Sequence, residues 1–429
     1  MVNGKIKKAK IEYFKAKFRN ASGNIRKTWK LINESLGKST SKRNMPDSVM
    51  CNDQAICDKK EICSVFNNFF INIGPSLTDN LDNNLDNDFS NDDIYSNIDF
   101  NSCTAFFNPI TPTEIINIVS KLKNNKSCGH DDVSVKLLKK FVHIISCPLS
   151  AIFNISLSAG IVPEQLKLAK VIPVFKNGTK ENVSNYRPIS ILPVFSKILE
   201  RAVYNRLFMF LNKCNIISEC QYGFRPGHST SNAIMHFIYN VLKTFENNHI
   251  LMGLFLDLSK AFDTLDHTIL LKKLYYYGIR GVTLKWFESY LENRTQFVQI
   301  NKDKSNIEKL RCGVPQGSIL GPLLFIIYVN DMCNISDKLK FILFADDTSV
   351  FMSHSDVQVL QNVFKQEILK LSNWFLYNKL VLNYDETKFI VFTNRNIDFN
   401  NIHLRVNDHN FERVDNLKFL GIVINHTLK

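Results

Sequence analysis

The ten cysteines include no Cys-x-x-Cys pair, and the chain lacks paired histidines at zinc-finger spacing. It also lacks a signal peptide, so we expect reduced thiols in an intracellular protein. The longest apolar stretch, Ile319–Val329, is far shorter than the ~20 residues that a membrane span needs, and Gly321 and Pro322 interrupt it. We therefore expect neither a disulfide framework nor a membrane role.

Positive charge is in excess and is unevenly distributed. The 429 residues carry a formal net charge of +13, which favours a polyanionic partner such as nucleic acid or an anionic membrane. Met1–Met50 holds thirteen Lys or Arg against three Asp or Glu. Asp79–Phe100 has seven Asp and no Lys or Arg, which is typical of a linker. We expect a basic helical segment over 1–45 and a helix with an acidic linker over 46–106.

Two adjacent aspartates, Asp346 and Asp347, lie between two short apolar runs rich in β-formers. The runs Phe341–Ala345 and Ser349–Met352 predict a β-hairpin whose turn carries both carboxylates. Asp oxygens are ligands that Mg²⁺ prefers. An Asp-Asp pair in a turn is also common as a plain solvated turn, so the pair by itself leaves both interpretations open.

A third aspartate, Asp257, ends the apolar run that begins at Ile250 and precedes a predicted helix. A carboxylate at the end of a buried strand needs a partner, which a metal ion would supply, but Asp is also a favoured helix N-cap. If the two strands are neighbours, the three carboxylates suit two Mg²⁺ ions about 3.5–4 Å apart for phosphoryl transfer. With the basic charge, this indicates a nucleotidyltransferase.

Periodicity and turn residues predict further elements. Two amphipathic helices break at Ser22–Asn24, and Thr111 and Pro112 begin another helix. The other predictions are helices over Val135–Ile145, Pro148–Ser158, Phe195–Leu211, Ser231–Phe245 and Val357–Tyr377, and strands over Ala169–Phe175, Thr387–Thr393 and Leu417–Ile424.

Seven segments in order resemble the reverse transcriptases of non-LTR (LINE-type) retrotransposons, particularly the jockey-like group. They are Ile172–Lys176, Asn185–Ser190, Tyr222–Arg225, Phe255–Asp263, Gly313–Pro322, Phe344–Asp347 and Phe419–Gly421. The resemblance implies an α+β right-hand polymerase with an antiparallel palm sheet backed by helices, an α-rich fingers region and a largely absent thumb. Fingers would occupy 107–250 and the palm 251–429.

The resemblance also implies roles for individual residues. Asp257, Asp346 and Asp347 would bind two catalytic Mg²⁺ ions, with Mn²⁺ able to substitute. The residues implied to contact the incoming dNTP are Lys176, Arg187, Phe262, Gln316 and Gly317. Phe262 matches the steric gate that excludes ribonucleotides, which disfavours an RNA-dependent RNA polymerase. The family's lysine before Thr387 is replaced by Glu386, so Lys388 is the possible general acid that remains.

The expected function is RNA-directed DNA synthesis by two-metal nucleotidyl transfer. The expected partners are an RNA template, a DNA primer at the target site and dNTPs, with an endonuclease elsewhere in the element. We expect the protein in the nucleus, the cytoplasm or both. The alternative is a truncated, catalytically impaired element remnant that only binds nucleic acid, which Glu386 and the missing thumb favour.

Overall fold

The computed structural model describes residues 2–36, 46–51, 54–82, 95, 97–124, 127–397, 402–406 and 409–428. The α-helices within them are α1 (Val2–Asn20), α2 (Ile25–Ser35), α3 (Lys59–Asp82), α4 (Pro112–Lys121), α5 (Val135–Ala159), α6 (Val194–Lys213), α7 (Thr230–Glu246), α8 (His267–Tyr276), α9 (Gly281–Leu291), α10 (Gly321–Tyr328) and α11 (Val357–Tyr377). The strands are β1 (Val49–Cys51), β2 (Gln54–Ile56), β3 (Leu168–Phe175), β4 (Tyr186–Ile191), β5 (Ile250–Leu256), β6 (Thr295–Ile300), β7 (Asp303–Lys304), β8 (Glu308–Lys309), β9 (Lys340–Phe344), β10 (Asp347–His354), β11 (Lys388–Phe392), β12 (Leu404–Val406), β13 (His409–Arg413), β14 (Asn416–Phe419) and β15 (Ile422–Asn425).

The central sheet has the strand order β12-β13-β11-β5-β10-β9. Its pairs are antiparallel except β11 with β13, which run parallel. Strand β5 is almost entirely apolar and buried, as expected for a strand covered on both faces. Helix α7 covers one face through Phe237, and a larger core that includes α10 and α11 covers the other. The predicted α+β fold with an antiparallel sheet backed by helices is confirmed.

A second sheet contains β3 and β4, which precede β5 in the chain, and β6, β7 and β8, which follow it. Strand β3 pairs antiparallel with β4 and parallel with β6, and β6 also pairs with β7 and β8. Helix α3 packs on this sheet, with Phe66 and Phe70 in one apolar cluster with Val171 and Val298. The sheet therefore draws strands from both sides of residue 250.

Helix α5 is one continuous helix, so the prediction of two separate helices over Val135–Ile145 and Pro148–Ser158 was wrong. Pro148 lies inside it. A proline removes the hydrogen bond to the carbonyl four residues earlier, here that of Ile144, a residue that lies on the exposed side of the helix. By length and composition alone α5 could cross a membrane, and in this fold it packs against α4 and α9.

The residues after Asp257 form a turn rather than a helix, and Asp266 caps the next helix by accepting a hydrogen bond from Ile269 N at 3.0 Å. The single strand predicted over Leu417–Ile424 is instead the hairpin β14–β15, because Leu420 and Gly421 adopt positive φ angles of 46° and 96°. The predicted helix pair α1–α2 is confirmed, and most of the predicted acidic linker lies outside the described residues.

Candidate active site

The three predicted carboxylates lie at adjacent strand ends of the central sheet. Asp257 follows β5, and Asp346 and Asp347 lie where the chain turns from β9 into β10. Thr348 of β10 pairs with Leu256 of β5, so one further step of this register places Asp347 opposite Asp257. Neighbouring strands lie about 4.8 Å apart, so these two carboxylates are side by side.

Burial raises the pKa of Asp347 to about 6, and the adjacent carboxylates of Asp346 and Asp257 contribute to that rise. The direction follows from the geometry, because each carboxylate disfavours a second negative charge beside it. The arrangement therefore concentrates negative potential at this edge of the sheet and would bind a cation favourably.

A loop braces the turn that carries Asp346. Ala345 has a φ of 58°, which is unusual for a residue with a side chain. Gln221 Oε1 accepts hydrogen bonds from Ala345 N (3.3 Å) and Gly223 N (2.7 Å). A Cβ atom at Gly223 would lie 2.3 Å from Ala345 N, so only glycine fits there. This explains a glycine in the segment Tyr222–Arg225.

Strand β11 and the loop before it supply further neighbours of Asp257. Asn383 Nδ2 donates to Asp257 Oδ2 at 3.1 Å, and Thr387 Oγ1 accepts from Asp257 N at 3.3 Å. The Glu386 carboxyl lies within hydrogen-bond reach of Asp257. Burial raises the pKa of Asp257 and Glu386 adds to the rise, while Asn383 and Lys176 oppose it. Asp257 thus has two carboxylate neighbours, Asp347 at the start of β10 and Glu386 in the turn before β11.

Lys388 is the first residue of β11 and Glu386 precedes the strand by two residues, and their side chains have different partners. Lys388 begins β11 and pairs with Phe255 in the register of the sheet, whereas Glu386 lies in the turn before β11, within hydrogen-bond reach of Asp257. Lys388 Nζ forms an ion pair with Glu412 of β13. The ammonium is therefore engaged by β13, while an acid lies beside Asp257. The role of Lys388 as a general acid stays a prediction.

The donor set suits a hard cation. Among the residues that the structure describes, no group of three or more His, Cys, Asp or Glu side chains is arranged to hold a metal ion. Asp257 and Asp347 nevertheless present carboxylate oxygens on adjacent strands, and oxygen is the ligand atom that Mg²⁺ and Mn²⁺ prefer. The residues present fit a divalent ion by their chemistry.

A basic cluster lies near these carboxylates. Lys176 follows β3, where its N donates to Asn185 O at 2.8 Å, and Arg187 lies on β4 opposite Val174. Lys260 Nζ donates to Ser184 O at 3.2 Å. Burial lowers the pKa of Lys260, and Lys176 and Arg187 lower it further, which indicates that the three cations are close. Such a cluster can bind a triphosphate through charge-assisted contacts.

Phe262 is held between two rings. It stacks on Phe325 of α10 at a centroid distance of 4.7 Å and meets Phe224 edge to face at 6.2 Å. Its carbonyl accepts a hydrogen bond from Val314 N at 2.9 Å. The ring therefore has a fixed position in the turn after Asp257.

The Gly/Pro loop that carries Gln316 and Gly317 lies against β4. Ser190 N donates to Gln316 O at 2.8 Å. Gly317 has a φ of 121°, and a Cβ there would lie 2.6 Å from Ser190 O. The Gly/Pro loop, the turn after Asp257 and β4 thus contact one another.

Sequence reasoning missed four residues that the structure places at the site: Lys260, Gln221, Asn383 and Asp263. Lys260 and Asp263 stand inside the segment Phe255–Asp263, and Asn383 stands just before the strand predicted over Thr387–Thr393. Gln221 directly precedes the segment Tyr222–Arg225. Their partners are distant in the chain, so periodicity and turn chemistry could not identify them.

Comparison with known proteins gives a family match over most of this region. Residues 176–424 match the family described as reverse transcriptase (RNA-dependent DNA polymerase). Two Drosophila melanogaster relatives are similar over three quarters of the chain. A probable RNA-directed DNA polymerase from transposon BS is 30% identical over 334 residues, or 75% of this chain and 36% of the relative. The RNA-directed DNA polymerase from mobile element jockey is 29% identical over 330 residues, or 74% and 35%.

A third relative from the same fly, a probable RNA-directed DNA polymerase from transposon X-element, is 32% identical over 253 residues, or 56% of this chain and 27% of the relative. The chain thus spans about a third of the length of the first two relatives. A solved structure of apo telomerase from Candida tropicalis, truncated from its C-terminal domain, aligns with a TM-score of 0.43 at 16% identity, covering 67% of this chain and 60% of that one.

Proposed function

The chain belongs to the reverse transcriptase family, beside polymerases of jockey-type non-LTR retrotransposons, and we propose that it synthesises DNA on an RNA template. The observation that carries this proposal is the register that brings Asp257 and Asp347 together at the ends of β5 and β10. Asp346 lies next to them in the turn.

We propose that Asp257, Asp346 and Asp347 hold two Mg²⁺ ions, with Mn²⁺ able to substitute. When bound, divalent ions in such a site activate the attacking hydroxyl and stabilise the leaving pyrophosphate. The Asn383 amide orients the Asp257 carboxylate through the hydrogen bond to Oδ2. Gln221 fixes the turn that presents Asp346.

The proposed nucleotide site lies between the second sheet and the central sheet. Lys176 and Arg187 bind the triphosphate, because both are cations near the Lys260 ammonium and Lys176 also lies near Asp257. Phe262 excludes a ribose 2′-hydroxyl, since Phe325 and Phe224 restrict movement of its ring. Gln316 and Gly317 contact the nucleotide from the Gly/Pro loop.

The proposed partners are an RNA template, a DNA 3′ end at the target site and dNTPs. We also propose that an endonuclease elsewhere in the element supplies that 3′ end. Copying at chromosomal DNA would place the protein in the nucleus, after synthesis in the cytoplasm. Near neutral pH the formal charge of +13 favours both nucleic acids.

The test is primer extension on an RNA template with Mg²⁺ and four dNTPs. Wild type is compared with Asp346→Asn/Asp347→Asn and with Asp337→Asn, an exposed aspartate outside the site. We expect wild type and Asp337→Asn to extend the primer and the double variant to be slower by about a hundredfold or more. Salt-sensitive RNA binding by folded wild type without extension would instead favour the impaired remnant.

A further inference from the structure

Asp263 joins three segments of the proposed nucleotide site. It lies in the turn between β5 and α8, six residues after Asp257, and its Oδ2 accepts a hydrogen bond of 2.7 Å from Gln316 Nε2. The backbone oxygen of Gln316 in turn accepts from Ser190 N of β4 at 2.8 Å. A chain of hydrogen bonds thus connects the turn, the Gly/Pro loop and the strand that carries Arg187.

The backbone around Asp263 is packed without room for adjustment. Gly313 has a φ of 77°, and a Cβ there would lie 2.7 Å from Asp263 O. A Cβ at Gly74 of α3 would lie 2.4 Å from the same oxygen. Cys312 Sγ donates to it at 3.3 Å. The Asp263 carboxylate is therefore presented to Gln316 from a fixed position.

The charge of Asp263 determines how the Gln316 amide is oriented. An ionised carboxylate only accepts hydrogen bonds, so Gln316 must turn its Nε2 towards it. Burial raises the pKa of Asp263 to about 6, while the Gln316 amide and the Lys260 ammonium oppose the rise, so the ionised form dominates at neutral pH. Gln316 Oε1 is then the amide atom directed away from Asp263.

We propose that Asp263 is a positioning residue that fixes the Gln316 amide so that Oε1 accepts a hydrogen bond from the incoming deoxynucleotide. The inference rests on the proposed function and adds a determinant of nucleotide affinity to it. Asp263 acts only through Gln316, so its contribution disappears when the Gln316 amide is removed. Binding of the template and primer does not depend on it.

A double-mutant cycle tests this with Asp263→Asn, Gln316→Ala and both together. Asparagine keeps the size of the side chain but can either donate or accept, so the amide orientation is no longer fixed. The protein is first bound to an RNA template with a dideoxy-terminated primer. The measured quantity is the concentration of the next complementary dNTP at which half of these complexes have bound it. The terminated primer cannot be extended, so the measured dNTP affinity does not depend on the rate of nucleotide incorporation.

We expect Asp263→Asn to raise that concentration about tenfold, because hydrogen bonds to charged groups are typically worth this much or more. We expect the same variant to change it less than about twofold in the Gln316→Ala background. Asp263→Glu keeps the charge but moves it by one methylene, so it gives the second test if Asp263→Asn does not fold.

Controls separate this inference from the proposed function. Template–primer affinity without dNTP and the melting temperature should match those of wild type and of Asp337→Asn. Equal effects of Asp263→Asn with and without the Gln316 amide would overturn the positioning role. The positioning role would also be overturned if Asp263→Asn had the half-saturating dNTP concentration of wild type while Gln316→Ala had a raised one. Neither result would affect primer extension by wild type, which tests the proposed function.

Discussion

The buried ion pair between Lys273 and Asp331 gives a quantitative test of how the helices behind the central sheet are held together. Lys273 Nζ of α8 lies 2.5 Å from Asp331 Oδ1 and 2.6 Å from Tyr328 O, and both charged side chains are fully buried. Asp331 Oδ2 accepts a hydrogen bond of 2.8 Å from Trp374 Nε1 of α11. The pair therefore ties α8 and α11 to the segment that follows α10.

Asp331→Asn removes the negative charge but keeps the size of the side chain, so the Lys273 ammonium stays buried without a counterion. Removing one partner of a buried ion pair costs about 3–5 kcal/mol. At about 2.1 cal/mol/K per residue, the unfolding entropy of 429 residues converts that cost into a fall in Tm of about 3–6 °C. Lys273→Met/Asp331→Asn leaves no uncompensated charge, so we expect it to lose less than the sum of the single variants.

Thermal melts followed by circular dichroism measure these shifts. The matched control is Glu219→Gln, which breaks a pair with Arg225 in which the Glu219 side chain is 86% exposed. An exposed pair is worth at most about 1 kcal/mol, so we expect a shift of about 1 °C or less. The reasoning is refuted if Asp331→Asn melts within 1 °C of wild type, or if the single-variant shifts add in the double variant.

Three further predictions concern the site and its surroundings. Mg²⁺ at ten times its Kd should raise the Tm of wild type by about 1–2 °C, and a similar rise in Asp257→Asn would contradict a site built on Asp257. Phe262→Val should weaken discrimination against ribonucleotides about tenfold or more in single-nucleotide incorporation, because the ring stacked at 4.7 Å on Phe325 is lost. Phe262→Tyr is the control that keeps the ring. Unchanged discrimination in Phe262→Val would refute the steric gate. A hydrogen bond from the Cys333 thiol lowers the pKa of Cys220 to about 7. Alkylation of Cys220 by iodoacetamide, followed by mass spectrometry, should therefore be half-maximal near pH 7 and should move to higher pH in Cys333→Ala. An unchanged pH dependence in Cys333→Ala would contradict this.

Local signals in the sequence predicted the parts of the fold that depend on nearby residues. The hairpin that carries Asp346 is confirmed, because β-formers and turn residues act over a few positions. The hairpin β14–β15 was missed because its turn, Leu420–Gly421, stands within an apolar run and contains no Asn or Asp. Pro148 favours a break between two helices, yet α5 continues through it, and Ile144, the residue four positions earlier, is 74% exposed.

Contacts between distant segments could not be predicted without the register of the sheets. Asn383 N donates to Asp257 O at 2.9 Å, and this contact depends on the pairing of the segment before β11 with the end of β5, which no local pattern specifies. The same holds for the pairing of β6 with β3, which are more than a hundred residues apart. The sequence identified Asp257, Asp346 and Asp347 as candidates, but only the strand order brings the two segments together.

The central claim is that Asp257 works with the Asp346–Asp347 turn in one metal-dependent site for DNA synthesis on RNA. The most direct test is single-nucleotide incorporation on an RNA template over a Mg²⁺ titration, comparing wild type, Asp257→Asn and Asp337→Asn. We predict Mg²⁺-dependent incorporation by wild type and Asp337→Asn, and a loss of about a hundredfold or more in folded Asp257→Asn. Incorporation by Asp257→Asn at the wild-type rate and with the same Mg²⁺ dependence would contradict the claim.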